Sequence, residues 1–292
     1  MTPAVSVVIP AYNRAATLPR AVASVLAQDF ADWELIVVDD GSADGSAEAA
    51  LACGDRRLRV IRHPVNRGAP AARNTGIRNA AGRLVAFLDS DDEWLPGKLG
   101  PQVAALDHGP ARLGALCTGY VLHRVAAGSR LERIPAADGT WLASLLDGCT
   151  VSPGSTLLAR RACFDTAGLF AEDLPRFEDW DWLLRLLDSW DFGCLPAMGA
   201  LVHVGGFPSR AKVRQAADLL WARQRERVRR LAGPAGARRL RASLELECAI
   251  AALRTGAPAA AVLPALAAAL WSPARAGRLL GRGWQRWRQR DV

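Results

Sequence analysis

Hydrophobic positions along the chain follow two rhythms. In the first hundred residues, short runs that are apolar at consecutive positions (Val5–Ile9, Trp33–Val38, Leu58–Ile61 and Leu84–Leu88) alternate with stretches at helical spacing. Thr17–Gln28 sets Leu18, Val22, Val25 and Leu26 on one face, and a helical stretch at Pro70–Ala80 leads into the fourth run. Runs apolar on both faces with helices between them predict a mostly parallel α/β sheet covered on both sides. After Asp107 the rhythm changes. Ala115–Val125 and Ser155–Arg160 read as strands, and Glu178–Trp190 as a helix with Trp182, Leu183, Leu186 and Leu187 facing inward. From Arg210 onward the pattern is helical, with stops near Gly233–Pro234, Gly256–Pro258 and Ser272–Pro273. The expected organisation is an α/β domain over residues 1–209 and a C-terminal helical extension over residues 210–292.

Length and composition agree with this division. A chain of 292 residues is near the upper size for one domain, so one domain with an appendage is the natural expectation. The net charge of +8 is unevenly spread. Residues 1–209 hold 19 Lys and Arg against 24 Asp and Glu, a balance of −5, whereas residues 210–292 hold 18 against 5, a balance of +13. Any acidic partner is therefore expected at the extension. Six scattered cysteines, with no CxxC pair, read as small buried hydrophobes in a reducing compartment, which predicts a cytoplasmic chain. Met1 leads straight into a strand-like run without a basic region of the signal-peptide kind. The longest apolar stretch, Ala249–Trp271, is broken by Arg254, Gly256, Pro258 and Pro264, which speaks against a membrane-spanning helix.

Candidate chemistry gathers where the predicted strands end, the place where open α/β sheets bind ligands. The first strand runs into Pro10-Ala11-Tyr12-Asn13-Arg14, the second into Asp39-Asp40-Gly41-Ser42, and the fourth into Asp89-Ser90-Asp91-Asp92. Asn66–Asn74 lies between them. Carboxylates as close as Asp89, Asp91 and Asp92 repel unless a cation neutralises them, and oxygen ligands suit Mg²⁺ or Mn²⁺. A solvated turn capping the next helix would also use these residues. Asp39-Asp40-Gly41 is open to the same two readings, a turn or a carboxylate accepting from a base or ribose. Glu178-Asp179 begins a helix, where acidic residues complement the dipole and where a general base could also sit.

Five segments in order resolve these alternatives. Val5–Arg14, Val37–Ser46, Asn66–Gly76, Leu84–Trp94 and Glu178–Leu186 resemble the successive motifs of family 2 glycosyltransferases, inverting enzymes with the GT-A fold. The resemblance runs to about residue 204. It implies a Rossmann-like, nucleotide-binding sheet and a nucleotide-sugar donor, most often a UDP-sugar. Pro10, Tyr12 and Arg14 would line the nucleotide pocket; Asp40 would read the base, with Asp39 supporting the turn. Arg73 would approach the nucleotide or its phosphates. Asp89-Ser90-Asp91 matches the DxD motif, with Asp89 nearer the ribose and Asp91, together with Asp92, toward a Mn²⁺ or Mg²⁺ ion. Asp179 would be the catalytic base. The implied role is sugar transfer in cell-surface glycan or polysaccharide biosynthesis.

The chain departs from the family pattern in places. Ala200-Leu201-Val202-His203 matches only partly a Tyr-Arg-x-His-like segment of relatives, so His203 reads either as an assistant to metal or diphosphate or as a structural histidine. A QxxRW motif is absent, which argues against a processive synthase. A nucleotidyltransferase would need a Gly-rich phosphate loop after the first strand, and Ala11–Arg14 is not one. A non-catalytic relative that binds nucleotide-sugar stays as the alternative. In the extension, Arg223, Arg225, Arg227, Arg229 and Arg230 crowd one helix, and Gly283–Arg290 sets Trp beside Arg. That composition fits either peripheral contact with the inner face of a membrane, suiting a lipid-linked acceptor, or a solvated extension. No nucleic-acid-binding motif is present.

Overall fold

The structure, a computed structural model, describes residues 2–124, 128–135, 140–151, 153–206 and 208–273. The last residue of the expected strand Ala115–Val125 and the Trp/Arg-rich stretch Gly283–Arg290 lie outside these residues. The chain forms two compact units. One comprises residues 1–136, 150–173 and 178–205, and the other residues 137–149, 174–177 and 206–292.

The first unit is built on a nine-stranded sheet. Its parallel half follows directly from the apolar runs: β1 (Val5–Ala11) pairs with β2 (Trp33–Asp39) and with β4 (Leu84–Phe87), and β2 pairs with β3 (Leu58–Arg62). Every residue of β1 is buried, as expected of a strand covered on both faces. The order continues from β4 through β8 (Leu158–Arg160), β6 (Leu113–Arg124) and β9 (Asp191–His203) to the two-residue β5 (Glu93–Trp94), and β7 (Ser129–Arg133) pairs with β6. β8 runs antiparallel to β4 and β6, so the sheet is mixed in its second half.

The two faces carry different cores. Val5, Val7 and Ile9 of β1 face α1 (Leu18–Leu26) and α4 (Leu99–His108), where Leu18, Val22, Val25, Val103 and Leu106 join one apolar cluster. Each fully buried Leu or Val contributes on the order of 2 kcal/mol. On the other face, α3 (Ala69–Asn79) lies so close to the sheet that a Cβ on Gly76 would stand 2.3 Å from Val8. Beside it, Phe87, Phe164, Phe170 and Trp182 form an aromatic cluster, with Phe164 and Trp182 stacked at 4.8 Å. Trp182 belongs to α8 (Glu178–Leu186) and Phe164 to α7 (Ala162–Thr166).

The second unit is helical. α9 (Arg210–Arg254) is broken at Gly233, whose φ of 67° is left-handed, followed by Pro234, which removes a backbone donor. Ser209 caps its start by accepting from the Lys212 N–H. α5 (Trp141–Leu146) is tied to it by Ser243, which donates to the Leu146 carbonyl, and by a bidentate Arg239–Asp147 pair. After a turn at Gly256 (φ 72°), α10 (Ala259–Trp271) folds back on α9. No described helix is long and apolar enough to cross a membrane.

One buried cation in the first unit has a thermodynamic consequence. Lys98 sits over the Trp94 ring at 4.1 Å and donates to Gln102 Oε1 at 2.7 Å. Burial pushes its pKa from 10.5 down to about 7. The unfolded chain keeps this proton until about pH 10.5 and the native chain releases it near 7. Between those values the unfolded state binds more protons, so the native state gains stability as pH rises. Urea denaturation at pH 8 and pH 9 should therefore show wild type gaining about 1.4 kcal/mol per pH unit relative to Lys98→Met. Parallel pH profiles for the two proteins would refute a native lysine that deprotonates near neutrality.

Candidate active site

The loops after β1, β2 and β4 meet at the carboxyl edge of the parallel strands, because these three strands are neighbours. The loop after β1 turns at Asn13, whose φ of 51° is unusual outside glycine but tolerated by Asn. It is stitched to the loop after β2. Asn13 N–H donates to Ser42 Oγ, Ala43 N–H to Asn13 Oδ1, Arg14 N–H to Ser46 Oγ and Ala15 N–H to Asp44 Oδ2. Tyr12 and Arg14 are exposed at this edge and Pro10 is buried in the strand.

The two aspartates ending β2 have different surroundings. Asp40 is buried, and its carboxylate is already engaged: it faces His63 Nδ1 at 2.6 Å and accepts from the N–H groups of Arg67 and Gly68, the latter at 2.7 Å. His63 meets Thr75 Oγ1 through its other nitrogen. Asp40 therefore fastens the 66–68 loop. Asp39 accepts from Ser42 N–H at 3.0 Å, stands 3.7 Å from Arg62 and lines an open cavity of about 300 Å³ with Gly41, Ser42 and His63. Gly41 is required there: its φ is 77°, and a Cβ would come within 2.8 Å of the Val65 carbonyl carbon.

Arg73 is the centre of the charged site. It is buried in α3 and donates to Asp89 Oδ1 at 2.7 Å and to Glu178 Oε1 at 2.6 Å. Burial by itself would favour losing its proton, but the two carboxylates more than offset this and hold it firmly charged. The DxD loop is thereby joined to the first turn of α8. Phe177, immediately before that turn, adopts φ of 69°, a strained conformation for a non-glycine residue of the kind concentrated at functional sites. Asp179 is half-buried in the turn, with Oδ1 accepting from the Trp180 N–H.

The three acids of the fourth strand end separate by environment. Asp89 is clamped by Arg73, and a Cβ on Gly154 would lie 2.1 Å from its Oδ2. Asp91 is half-buried, with Arg14 at 3.6 Å. Burial and neighbouring Asp89 raise its pKa, and Arg14 only partly opposes this. Such an under-neutralised oxygen donor suits a hard cation that takes its remaining ligands from phosphates. Asp92 points inward, accepting from Ser155 Oγ and from the His203 N–H at 2.8 Å; burial first, then Asp89, pushes its pKa up to about 8. The expectation that Asp92 shares a metal meets a carboxylate whose two oxygens already have partners. The His203 ring is 2.9 Å from Glu93, which Arg20 also reaches at 3.1 Å. Among the described residues, no group of three or more His, Cys, Asp or Glu could hold a metal by protein ligands alone.

Gly154 and Ser155 have no sequence signal. They come to the DxD loop because β8 inserts beside β4, and the short helix before β8 delivers Ser155 to accept from Asp89 N–H and donate to Asp92. His63 escapes a motif reading for a similar reason, since its partner Asp40 belongs to a neighbouring strand.

Comparison with known proteins agrees with this architecture. Residues 6–143 match the family model described as glycosyl transferase family 2. Over 102 residues, 35% of this chain, the sequence is 41% identical to the Escherichia coli UDP-Glc:alpha-D-GlcNAc-diphosphoundecaprenol beta-1,3-glucosyltransferase WfgD, of which the match spans 40%. Two solved structures share the fold at low identity. The mannosyltransferase PcManGT from Pyrobaculum calidifontis, in complex with GDP-Man and Mn²⁺, has a TM-score of 0.61 at 20% identity and covers 98% of this chain and 80% of its own. S. aureus TarS 1–349, in complex with UDP-GlcNAc, has a TM-score of 0.60 at 18% identity, covering 89% of this chain and 88% of that one. The fold is the GT-A fold that the motif order implied. The matched segment holds Asp39, Arg73 and the 89–92 loop, so the part of the chain that resembles glycosyl transferase family 2 is the part that builds this site.

Proposed function

We propose that the first unit transfers a sugar from a UDP-sugar to a hydroxyl of a lipid-linked or glycan acceptor in cell-surface glycan synthesis, with inversion at the anomeric carbon. The observation that carries this reading is the double ion pair of Arg73. It holds the DxD loop and the helix bearing Asp179 at one point. The relative WfgD, whose name specifies a UDP-Glc donor and a diphosphoundecaprenol-linked acceptor, supports the donor and acceptor classes.

Each residue then has a part. The base of the donor occupies the cavity beside Asp39, whose carboxylate accepts from the base N–H; Asp40 holds the loop that forms the wall. This reverses the roles that the motif resemblance gave the two aspartates. Pro10, Tyr12 and Arg14 border the nucleotide, and Asp89 faces the ribose while clamped by Arg73. The donor set fits Mn²⁺ or Mg²⁺ on Asp91, with Asp92 bracing the loop from inside. Such an ion, when bound, supplies charge neutralisation for the leaving diphosphate. Asp179 takes the proton of the acceptor hydroxyl as its oxygen bonds to the anomeric carbon, and the carbon–oxygen bond to the diphosphate breaks on the opposite face. One bond forms, one breaks, and the nucleoside diphosphate departs with the electron pair.

Calorimetric titration of UDP with Mn²⁺ should give binding that Asp91→Ala and Asp39→Ala each weaken by about tenfold or more. Tight binding of GDP but not UDP would overturn the donor assignment. Asp179→Asn should keep UDP binding and lose at least about a hundredfold in turnover, the usual scale for a general base. Wild-type turnover in that variant would remove Asp179 from the chemistry, and donor binding without any turnover by the wild type would favour the non-catalytic alternative. Arg73→Gln leaves Asp89 and Glu178 without their shared cation. We expect a loss of about 3 kcal/mol in unfolding free energy, measured in urea; a loss below about 1 kcal/mol would show that the clamp is not structural.

A further inference from the structure

The packing of α10 is inverted for a helix that borders water. Its small residues face the protein: Ala261 and Ala268 are 6% and 0% exposed, and Ala261, with Ala265, packs against Ala249 and Ala252 of α9. Its large residues face out. Leu263 is 76% exposed and Leu270 84%, and Val262 and Leu266 are also exposed. These four positions share one helical face. Ile250 and Leu253, near the end of α9, are exposed as well. Isolated exposed leucines are ordinary, but a continuous stripe marks a surface that binds something.

The stripe ends in a basic, aromatic cavity. Trp271, next to Leu270, lines a space of about 320 Å³ with Trp221, Arg225, Arg229 and Arg238, and the two indoles stand 6.1 Å apart. Among the described residues Arg225 pairs with exposed Glu226 at 3.7 Å, which also lines the cavity, and Arg229 and Arg238 make no ion pair.

We propose that this face of the second unit docks on an anionic lipid bilayer. The leucines of α10 enter the acyl boundary, the two tryptophans sit at the headgroup level, and Arg225, Arg229 and Arg238 take headgroup phosphate oxygens. Charge selects this occupant. Residues 210–292 carry 18 basic and 5 acidic side chains, so a second copy of the chain would bring arginines against arginines. A free phosphate would use the cavity and leave the leucine stripe unexplained. The proposal stands on the second unit alone, independently of the transferase reading, and its readout is sedimentation rather than transfer.

The test is co-sedimentation of the full chain with vesicles of phosphatidylcholine, with and without phosphatidylglycerol. Binding should be at least about tenfold stronger on the anionic vesicles. Leu263→Glu combined with Leu270→Glu should abolish sedimentation, and Arg229→Ala with Arg238→Ala should reduce it about tenfold on anionic vesicles only. All four side chains are exposed, so an unchanged circular dichroism melt is expected for both variants. Four results would overturn the proposal. The chain could remain in the supernatant with either vesicle, or the leucine variant could sediment like wild type. The chain could also form a stable dimer in solution that Leu263→Glu splits. Inorganic phosphate quenching tryptophan emission, with no vesicle binding, would reassign the cavity to a small anion and equally overturn the membrane reading.

Discussion

The buried guanidinium of Arg73 is the constraint from which the first unit is organised. A cation in α3 can be fully buried only if carboxylates meet it, and the two that do come from distant parts of the chain, Asp89 after β4 and Glu178 at the start of α8. Satisfying one buried charge thereby fixes the distance between a loop and a helix that share no strand pairing. It also divides labour between adjacent acids. Glu178 is consumed by the clamp, which distinguishes it from Asp179 one residue on. Asp89 is likewise held by Arg73, while half-buried Asp91 has Arg14 at 3.6 Å.

The same division recurs at β2. Asp40 is committed to His63 and two backbone N–H groups, whereas Asp39 borders open space. In each pair one carboxylate is taken up by contacts that hold the loops together, and its neighbour has a different set of partners.

These assignments mark the limit of what the sequence disclosed. The parallel strands were legible because burial on both faces leaves uninterrupted apolar runs, and their ends located the loops correctly. β9 was not, since Asp191–His203 contains Gly193, Pro196 and Gly199 and alternates irregularly between buried and half-buried positions. Its pairing with β6 includes register shifts, so no two-residue period survives. Gly154 and Ser155 were invisible because only the antiparallel insertion of β8 brings them to the DxD loop. The motif gave Asp40 to the base and Asp39 to the turn, and the contacts that set the two apart arise only when the 66–68 loop folds back with its N–H groups on Asp40.

The C-terminal helices show a different kind of illegibility. Amphipathicity is read by assuming that large apolar residues turn inward, an assumption that α10 does not meet. Hairpin closure at Gly256 lays α10 on α9 through alanines, and close backbone approach through small residues leaves the leucines no interior to occupy. Packing through alanine gives up the burial that leucines would provide, which is an unfavourable choice for a helix whose role is to complete a core. It becomes reasonable when the apolar surface is itself the functional product of the fold. The proximity of that surface to Trp271 and to Arg225, Arg229 and Arg238 then follows from the length of α10, which carries its last turn to the cavity wall.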